Sequence, residues 1–181
     1  MALVEYKEQG GIAYITLNRP EKLNAVSDEL SVELCNAVYR LNDENNAQIG
    51  IICGNGRAFC SGADAKQRLL RKREELERLG RGAGREGILN TPFFRSSQSK
   101  PIIAAVHGYV LGIGLRIALF SDLIVASKGT LFQITEISRG INGTDFWMAL
   151  VQRGAGGFAT EVALTGRMWS PTARLTRLAI R

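Results

Sequence analysis

Residues 3–9 and 12–18 are two short runs rich in apolar and β-branched residues, separated by Gln9-Gly10-Gly11. Glycines in that gap supply positive φ, so the pair predicts a β-hairpin. In the second run Ile12, Tyr14, Thr16 and Asn18 alternate with Ala13, Ile15 and Leu17, the period of a half-buried strand, and the run stops at Arg19-Pro20. After Ser27-Asp28, an N-cap signal, the period changes. Leu30, Leu34, Val38 and Leu41 recur at helical spacing and predict a helix over 28–42. Gln48 to Cys53 reads as a buried strand running into the tight loop Gly54-Asn55-Gly56. A second loop, Phe59-Cys60-Ser61-Gly62-Ala63-Asp64, leads into a charged helical stretch over 65–79, with Leu69, Leu70, Leu76 and Leu79 as its apolar side. Gly80, Gly82, Gly84 and Gly87 break that helix; 80–90 reads as a loop, either a lid over a site or a plain surface linker.

Pro101 to Val106 is a continuous apolar run, as in a strand covered on both faces. The glycine-bearing loop 108–114 follows, then an apolar helix over 113–121 and a strand over 122–127. Leu131-Phe132-Gln133 is a short strand after the Gly129-Thr130 turn, and 144–151 and 158–164 read as helices. The order strand, strand, helix repeats. It predicts one α/β domain over 1–181, without a low-complexity linker or a sequence repeat of fixed period.

Composition narrows the class. A hydrophobic share of 45% and a charged share of 22% are those of a soluble globular protein. No apolar run approaches the ~20 residues that span a bilayer, so no membrane partner is expected. The start, Met1-Ala2-Leu3-Val4-Glu5, lacks a basic segment followed by an apolar stretch, so the expected compartment is the cytoplasm. Cys35, Cys53 and Cys60 are odd in number and lack paired spacing, which predicts reduced thiols; the single histidine, His107, cannot build a metal site, so no metal is expected. Net charge is +6, with much of the excess in 66–73 and in a tail bearing Arg167, Arg174, Arg177 and Arg181. Such a surface suits polyanions, but Glu74, Glu75 and Glu77 follow at once, and a solvated helix face is the simpler account.

Two loops, 54–64 and 108–114, follow strands and precede helices. Loops so placed present unpaired N–H groups and the positive end of a helix dipole, suited to an anion or to a carbonyl oxygen gaining charge. Neither has the Gly-Lys-Ser/Thr of a phosphate-binding loop, and Gly112-Ile113-Gly114 lacks the later glycine of a dinucleotide fingerprint. Asp64 closes the first loop. Glu136 lies in the apolar stretch Phe132-Gln133-Ile134-Thr135-Glu136-Ile137. Two readings of it stand open: a pocket-facing base whose pKa rises by burial, or a helix N-terminal glutamate favoured by the dipole.

Several blocks, in order, resemble the enoyl-CoA hydratase/isomerase (crotonase) family. They are Leu17-Asn18-Arg19-Pro20-Glu21-Lys22-Leu23-Asn24-Ala25, Phe59-Cys60-Ser61-Gly62-Ala63-Asp64-Ala65-Lys66 and Pro101 through Gly114, followed by Asp122-Leu123-Ile124-Val125-Ala126-Ser127 and Leu164-Thr165-Gly166-Arg167. The resemblance covers the chain to about residue 170. It implies a crotonase-like spiral of strand-strand-helix turns that binds an acyl-CoA substrate and needs no separate cofactor. It also implies an oxyanion hole from the backbone N–H groups of Ala63 and Ile113, which hold the thioester carbonyl as an enolate forms. CoA contacts map to Ala25, Asp64, Ala65, Lys66 and Gly112, with Lys66 placed for a CoA phosphate. Of the two glutamates of family hydratases, one maps to Glu136 and the other to position 116, here Arg116, which has no acceptor and cannot act as a base. Ile113 stands where the family has glycine; it keeps the N–H but stiffens the backbone.

The resemblance further implies C-terminal helices that join subunits into trimers or hexamers. Here Ser170-Pro171-Thr172-Ala173-Arg174-Leu175-Thr176-Arg177 begins like the expected helix and then loses its pattern. The expectation is therefore a chain lacking most of the C-terminal trimerisation region. We expect an enzyme acting on an unsaturated acyl-CoA with Glu136 as proton carrier, isomerisation favoured and hydration close behind, with Arg116 as a modulator. The alternative is a catalytically impaired or non-catalytic acyl-CoA-binding homologue. RNA binding, found in one branch of the family, goes with a lysine-rich first helix; here 27–42 carries Arg40 as its only basic residue, which argues against a nucleic-acid partner.

Overall fold

The computed structural model describes residues 2–69 and 99–172. The remainder of the expected 65–79 helix, the 80–90 loop and the basic tail from Ala173 lie outside the described residues. The hairpin forms as expected: β1 (Val4–Gln9) and β2 (Ile12–Leu17) pair antiparallel, with Val4 opposite Leu17 and Gln9 opposite Ile12. Ala13, Ile15 and Leu17 are fully buried, so the alternation read from the sequence has its second set inward. Helix α1 (Asp28–Asp43) starts where Ser27 Oγ accepts the Leu30 N–H at 3.2 Å, and it buries Leu30, Leu34, Val38 and Leu41. Strand β3 (Ile49–Gly54) then pairs parallel with β2. Of the next helix, α2 (Ala65–Leu69) is described.

Strands β4 (Ile102–Val106) and β6 (Leu123–Ala126) extend the main sheet, whose order is β1-β2-β3-β4-β6. Between them lie β5 (Tyr109–Leu111) and α3 (Ile113–Phe120). The sequence reading took 108–114 entirely as a loop. Instead β5 pairs in parallel with β7 (Leu131–Gln133), because its three residues alternate with Val110 inward. The expectation that 101–106 is covered on both faces is corrected too. Ile102, Ala104 and Val106 are buried, but Ile103 and Ala105 face the side on which their partners Leu123 and Val125 are each 61% exposed. The chain closes with α4 (Thr144–Gln152) and α5 (Gly156–Thr165).

A second ladder runs beside the main sheet. Val26 pairs with Ala63, Cys60 with Val110, β5 with β7, and Phe132 with Trp169. Each turn of the chain thus enters a strand of the main sheet, crosses to this second ladder and returns through a helix, which is the expected strand-strand-helix spiral. Asn24 ties its first turn to its second. Fully buried and at φ +53°, its carboxamide accepts the Arg19 N–H at 2.8 Å and donates to the carbonyls of Asn55 (2.9 Å) and Ala58 (2.8 Å). Truncating that side chain leaves buried backbone groups unpaired at about 1–3 kcal/mol each. We expect Asn24→Ala to lower unfolding free energy by about 3–5 kcal/mol, read as a drop in the urea midpoint at unchanged slope. A loss under about 1 kcal/mol would mean that water replaces the amide.

Candidate functional site

The two loops singled out in the sequence lie against each other. Leu111 N–H donates to the Cys60 carbonyl (3.0 Å), and Cys60 N–H donates to that of Tyr109 (3.1 Å). Gly114 is in such close contact with Cys60 that a Cβ there would lie 2.6 Å from both the Cys60 Cβ and its carbonyl oxygen. Position 114 therefore admits glycine only.

This packing fixes the direction of two N–H groups. Val26 is bracketed by Gly62 and Asp64: its N–H donates to the Gly62 carbonyl (2.8 Å), and its carbonyl accepts the Asp64 N–H (2.9 Å). In a parallel bridge of this kind the residue between the two, Ala63, turns its own N–H away from Val26, toward the side on which β5 runs into α3. Ile113 opens α3, and first-turn N–H groups have no partner within their own helix. Neither the Ala63 nor the Ile113 N–H has an acceptor among the described residues. The far end of α3 is secured by Arg153, whose guanidinium donates to the carbonyls of Leu119 (3.0 Å) and Ser121.

Glu136 lies against Gly112, the residue before α3. It precedes a 3-10 turn (Ile137–Arg139) and is half-buried. A Cβ built on Gly112, whose φ is +48°, would lie 3.4 Å from Glu136 Oε1, and one on Gly143 would lie 3.6 Å from Glu136 Cβ. Glu136 therefore lies between the residue before α3 and the residue before α4, and it is at the same time the N-cap residue of the 3-10 turn, so features of both readings are present. Burial raises its pKa above the ordinary glutamate value, opposed by its own backbone N–H, the Thr135 hydroxyl, and the charges of Arg139 and Arg116. Arg116 does not pair with Glu136. Its guanidinium is bonded to Asp145 in the first turn of α4 and lies 6.0 Å from the centre of the Phe146 ring.

Asp64, at the other loop, is shifted the opposite way. Its Oδ2 accepts the Arg19 guanidinium at 2.7 Å, and its Oδ1 accepts the N–H groups of Lys66 (3.0 Å) and Gln67 (3.1 Å). The Arg19 bond holds its pKa below the usual carboxylate range. Both oxygens are thus committed to joining the first sequence block to the second and to capping α2. The sequence reading missed this pairing across 45 residues. Lys66 and Ala65 are exposed at the start of α2, and Ala25 is half-buried with its carbonyl accepting Arg19 at 3.0 Å. His107 holds the Gly56 carbonyl at 2.9 Å, a structural role. The three cysteines are free, and burial pushes the Cys60 thiol up to about 12. Among the described residues no group of three or more His, Cys, Asp or Glu could hold a metal ion, and no helix is long and apolar enough to cross a membrane.

The raised Glu136 pKa has a defined sign in stability. A carboxyl that holds its proton more tightly in the folded state stabilises the fold below its unfolded-state pKa. That contribution is lost as pH rises through the folded-state value. We expect Glu136→Gln to be more stable than wild type at pH 7, with the difference closing as pH falls below the ordinary glutamate value. Thermal unfolding across pH 4–8 checks this, and a gap independent of pH contradicts it.

The comparisons with known proteins agree on one family. The sequence matches the Enoyl-CoA hydratase/isomerase family profile over residues 7–176. It is 34% identical over 164 residues to the (E)-benzylidenesuccinyl-CoA hydratase of Thauera aromatica, covering 88% of this chain and 60% of that protein. It is 36% identical over 164 residues to the mevalonyl-coenzyme A hydratase of Aspergillus fumigatus, covering 88% of this chain and 57% of that protein. The crystal structure of an enoyl-CoA hydratase from Mycobacterium tuberculosis H37Rv superposes with a TM-score of 0.80 at 34% identity, covering 98% of this chain and 67% of that one. The chain thus spans about three-fifths of the length of these two curated relatives. On its sequence blocks, its spiral fold and these matches, the chain belongs to the enoyl-CoA hydratase/isomerase family.

Proposed function

We propose that this chain acts on unsaturated acyl-CoA thioesters, with the Ala63 and Ile113 N–H groups receiving the thioester oxygen and Glu136 moving the proton. The observation that carries the reading is a half-buried carboxyl, its pKa raised by burial, against Gly112 of one loop, which packs on the other loop, the two offering N–H donors that have no acceptor among the described residues. Removing a proton beside a thioester carbonyl puts charge on its oxygen. Fixed donors stabilise that charge by on the order of 3 kcal/mol each. Burial favours the same outcome by bringing the pKa of Glu136 toward the range of a useful base.

Isomerisation is the favoured reaction. It needs one group that takes a proton near the thioester and returns it further along the acyl chain, which a single carboxylate can do. Hydration also needs an activated water, and Arg116 offers no acceptor for its proton. The relatives carry hydratase names, so hydration remains the close alternative. The CoA moiety runs past Ala25, Gly112 and the start of α2, where the exposed Lys66 meets a phosphate and Ala65 contributes surface. Asp64 serves by holding that turn in place, since its carboxylate is already engaged.

Two measurements test this. Calorimetry with a short acyl-CoA and with free CoA should detect binding of both, tighter for the thioester; no binding by a folded sample overturns the reading. On a panel of enoyl-CoAs, double-bond migration should exceed hydration, and Glu136→Gln should lower turnover by about 100-fold or more. Binding without turnover would leave an acyl-CoA-binding homologue. Turnover unaffected by Glu136→Gln would mean that another residue carries the proton.

A further inference from the structure

Arg116 and Asp145 are arranged around Glu136 in a way the proposed chemistry leaves unused. Glu136 lies between Gly112, which precedes α3, and Gly143, which precedes α4. The Arg116 N–H donates to the Gly112 carbonyl at 3.0 Å, so Arg116 stands one helical turn along α3 from the glycine that touches the Glu136 carboxylate. Asp145 is two residues along from Gly143, in the first turn of α4. Their ion pair therefore bridges the same two helices whose starts flank Glu136. The Arg116 side chain is only 15% exposed, whereas that of Asp145 is 53% exposed.

We propose that Asp145 is a positioning residue: by gripping the Arg116 guanidinium, it keeps that cation from closing on the Glu136 carboxylate. An arginine whose backbone stands one helical turn from the glycine beside Glu136 would otherwise turn its cation to that carboxylate, since the partial desolvation there strengthens their attraction. The pairing with Asp145 engages the guanidinium elsewhere, through Nη2. The charged groups around Glu136 are few among the described residues. Arg139 comes from its own turn, Arg116 from α3 and Asp145 from α4. The α5 helix and the residues after it carry Glu161 and Arg167, which are bonded to each other at 2.8 Å. The inference rests on the proposed role of Glu136 for its catalytic meaning, but not for its test.

The test follows the Glu136 carboxyl carbon by NMR through a pH titration of the substrate-free protein, the resonance being assigned by its loss in Glu136→Gln. Asp145→Asn should move the Glu136 midpoint down by about one pH unit, the lower edge of the effect of an approaching opposite charge. Asp145→Glu, which restores the grip, should return it close to the wild-type midpoint. In an Arg116→Gln background the Asp145→Asn shift should shrink to less than about a third of its value. An unmoved or raised midpoint overturns the proposal. So does an equal shift with and without Arg116, because Asp145 would then act on Glu136 directly. If Glu136→Gln leaves turnover intact while these shifts appear, the assignment of Glu136 fails and the holding role of Asp145 stands.

Discussion

A carboxamide with no exposed atom must find partners inside the protein, because leaving a buried polar group unpaired costs about as much as a lost hydrogen bond or more. Asn24 meets that requirement with one N–H and two carbonyls drawn from the first loop and from the segment 55–58 after β3. The consequence reaches past Asn24. With those segments joined, Cys60 is set to pair with β5, Ala63 follows with its N–H turned outward, and Asp64 can take Arg19. The start of α3 is then placed against Cys60 through Gly114. The candidate site is thus assembled by backbone contacts that descend from one buried side chain in a loop.

The two carboxylates at this site illustrate how environment separates identical chemistry. Asp64 is ion-paired and takes two N–H donors, so its charged form is favoured. Glu136 has a weak 3.4 Å contact from Thr135 and is half-buried, and burial raises its pKa above the ordinary glutamate value. The first holds a turn in place, and the second has the environment that the proposed proton transfer requires. Their sequence contexts are nearly alike, each an acid closing a short stretch after a strand, and only tertiary surroundings distinguish them.

That difference marks what could be read from the sequence. Elements whose signal is a period were legible: the hairpin, α1 with its Ser27 cap, and the β4–α3–β6 series lie where their apolar spacing put them. The strand β5 was not, because three residues between glycines carry no period to read. The close approach of the two loops was implied by the resemblance rather than by residue chemistry. The partners of Asp64 and of Arg116 are 45 and 29 residues away, and long-range ion pairs leave no local trace. The half-buried position of Glu136 depends on two glycines, 112 and 143, whose importance lies in what they allow nearby.

The neighbours Ile113 and Gly114 face opposite kinds of sequence drift. What position 113 brings to the proposed site is an N–H, which every residue except proline carries, so substitution there leaves the donor in place. At 114 the contact is with a carbonyl oxygen as well as a side chain, so no smaller residue at position 60 makes room for a Cβ. Over generations of mutation, 113 is where such a lineage can change its side chain at little structural risk. Position 114 is where a change is lost outright.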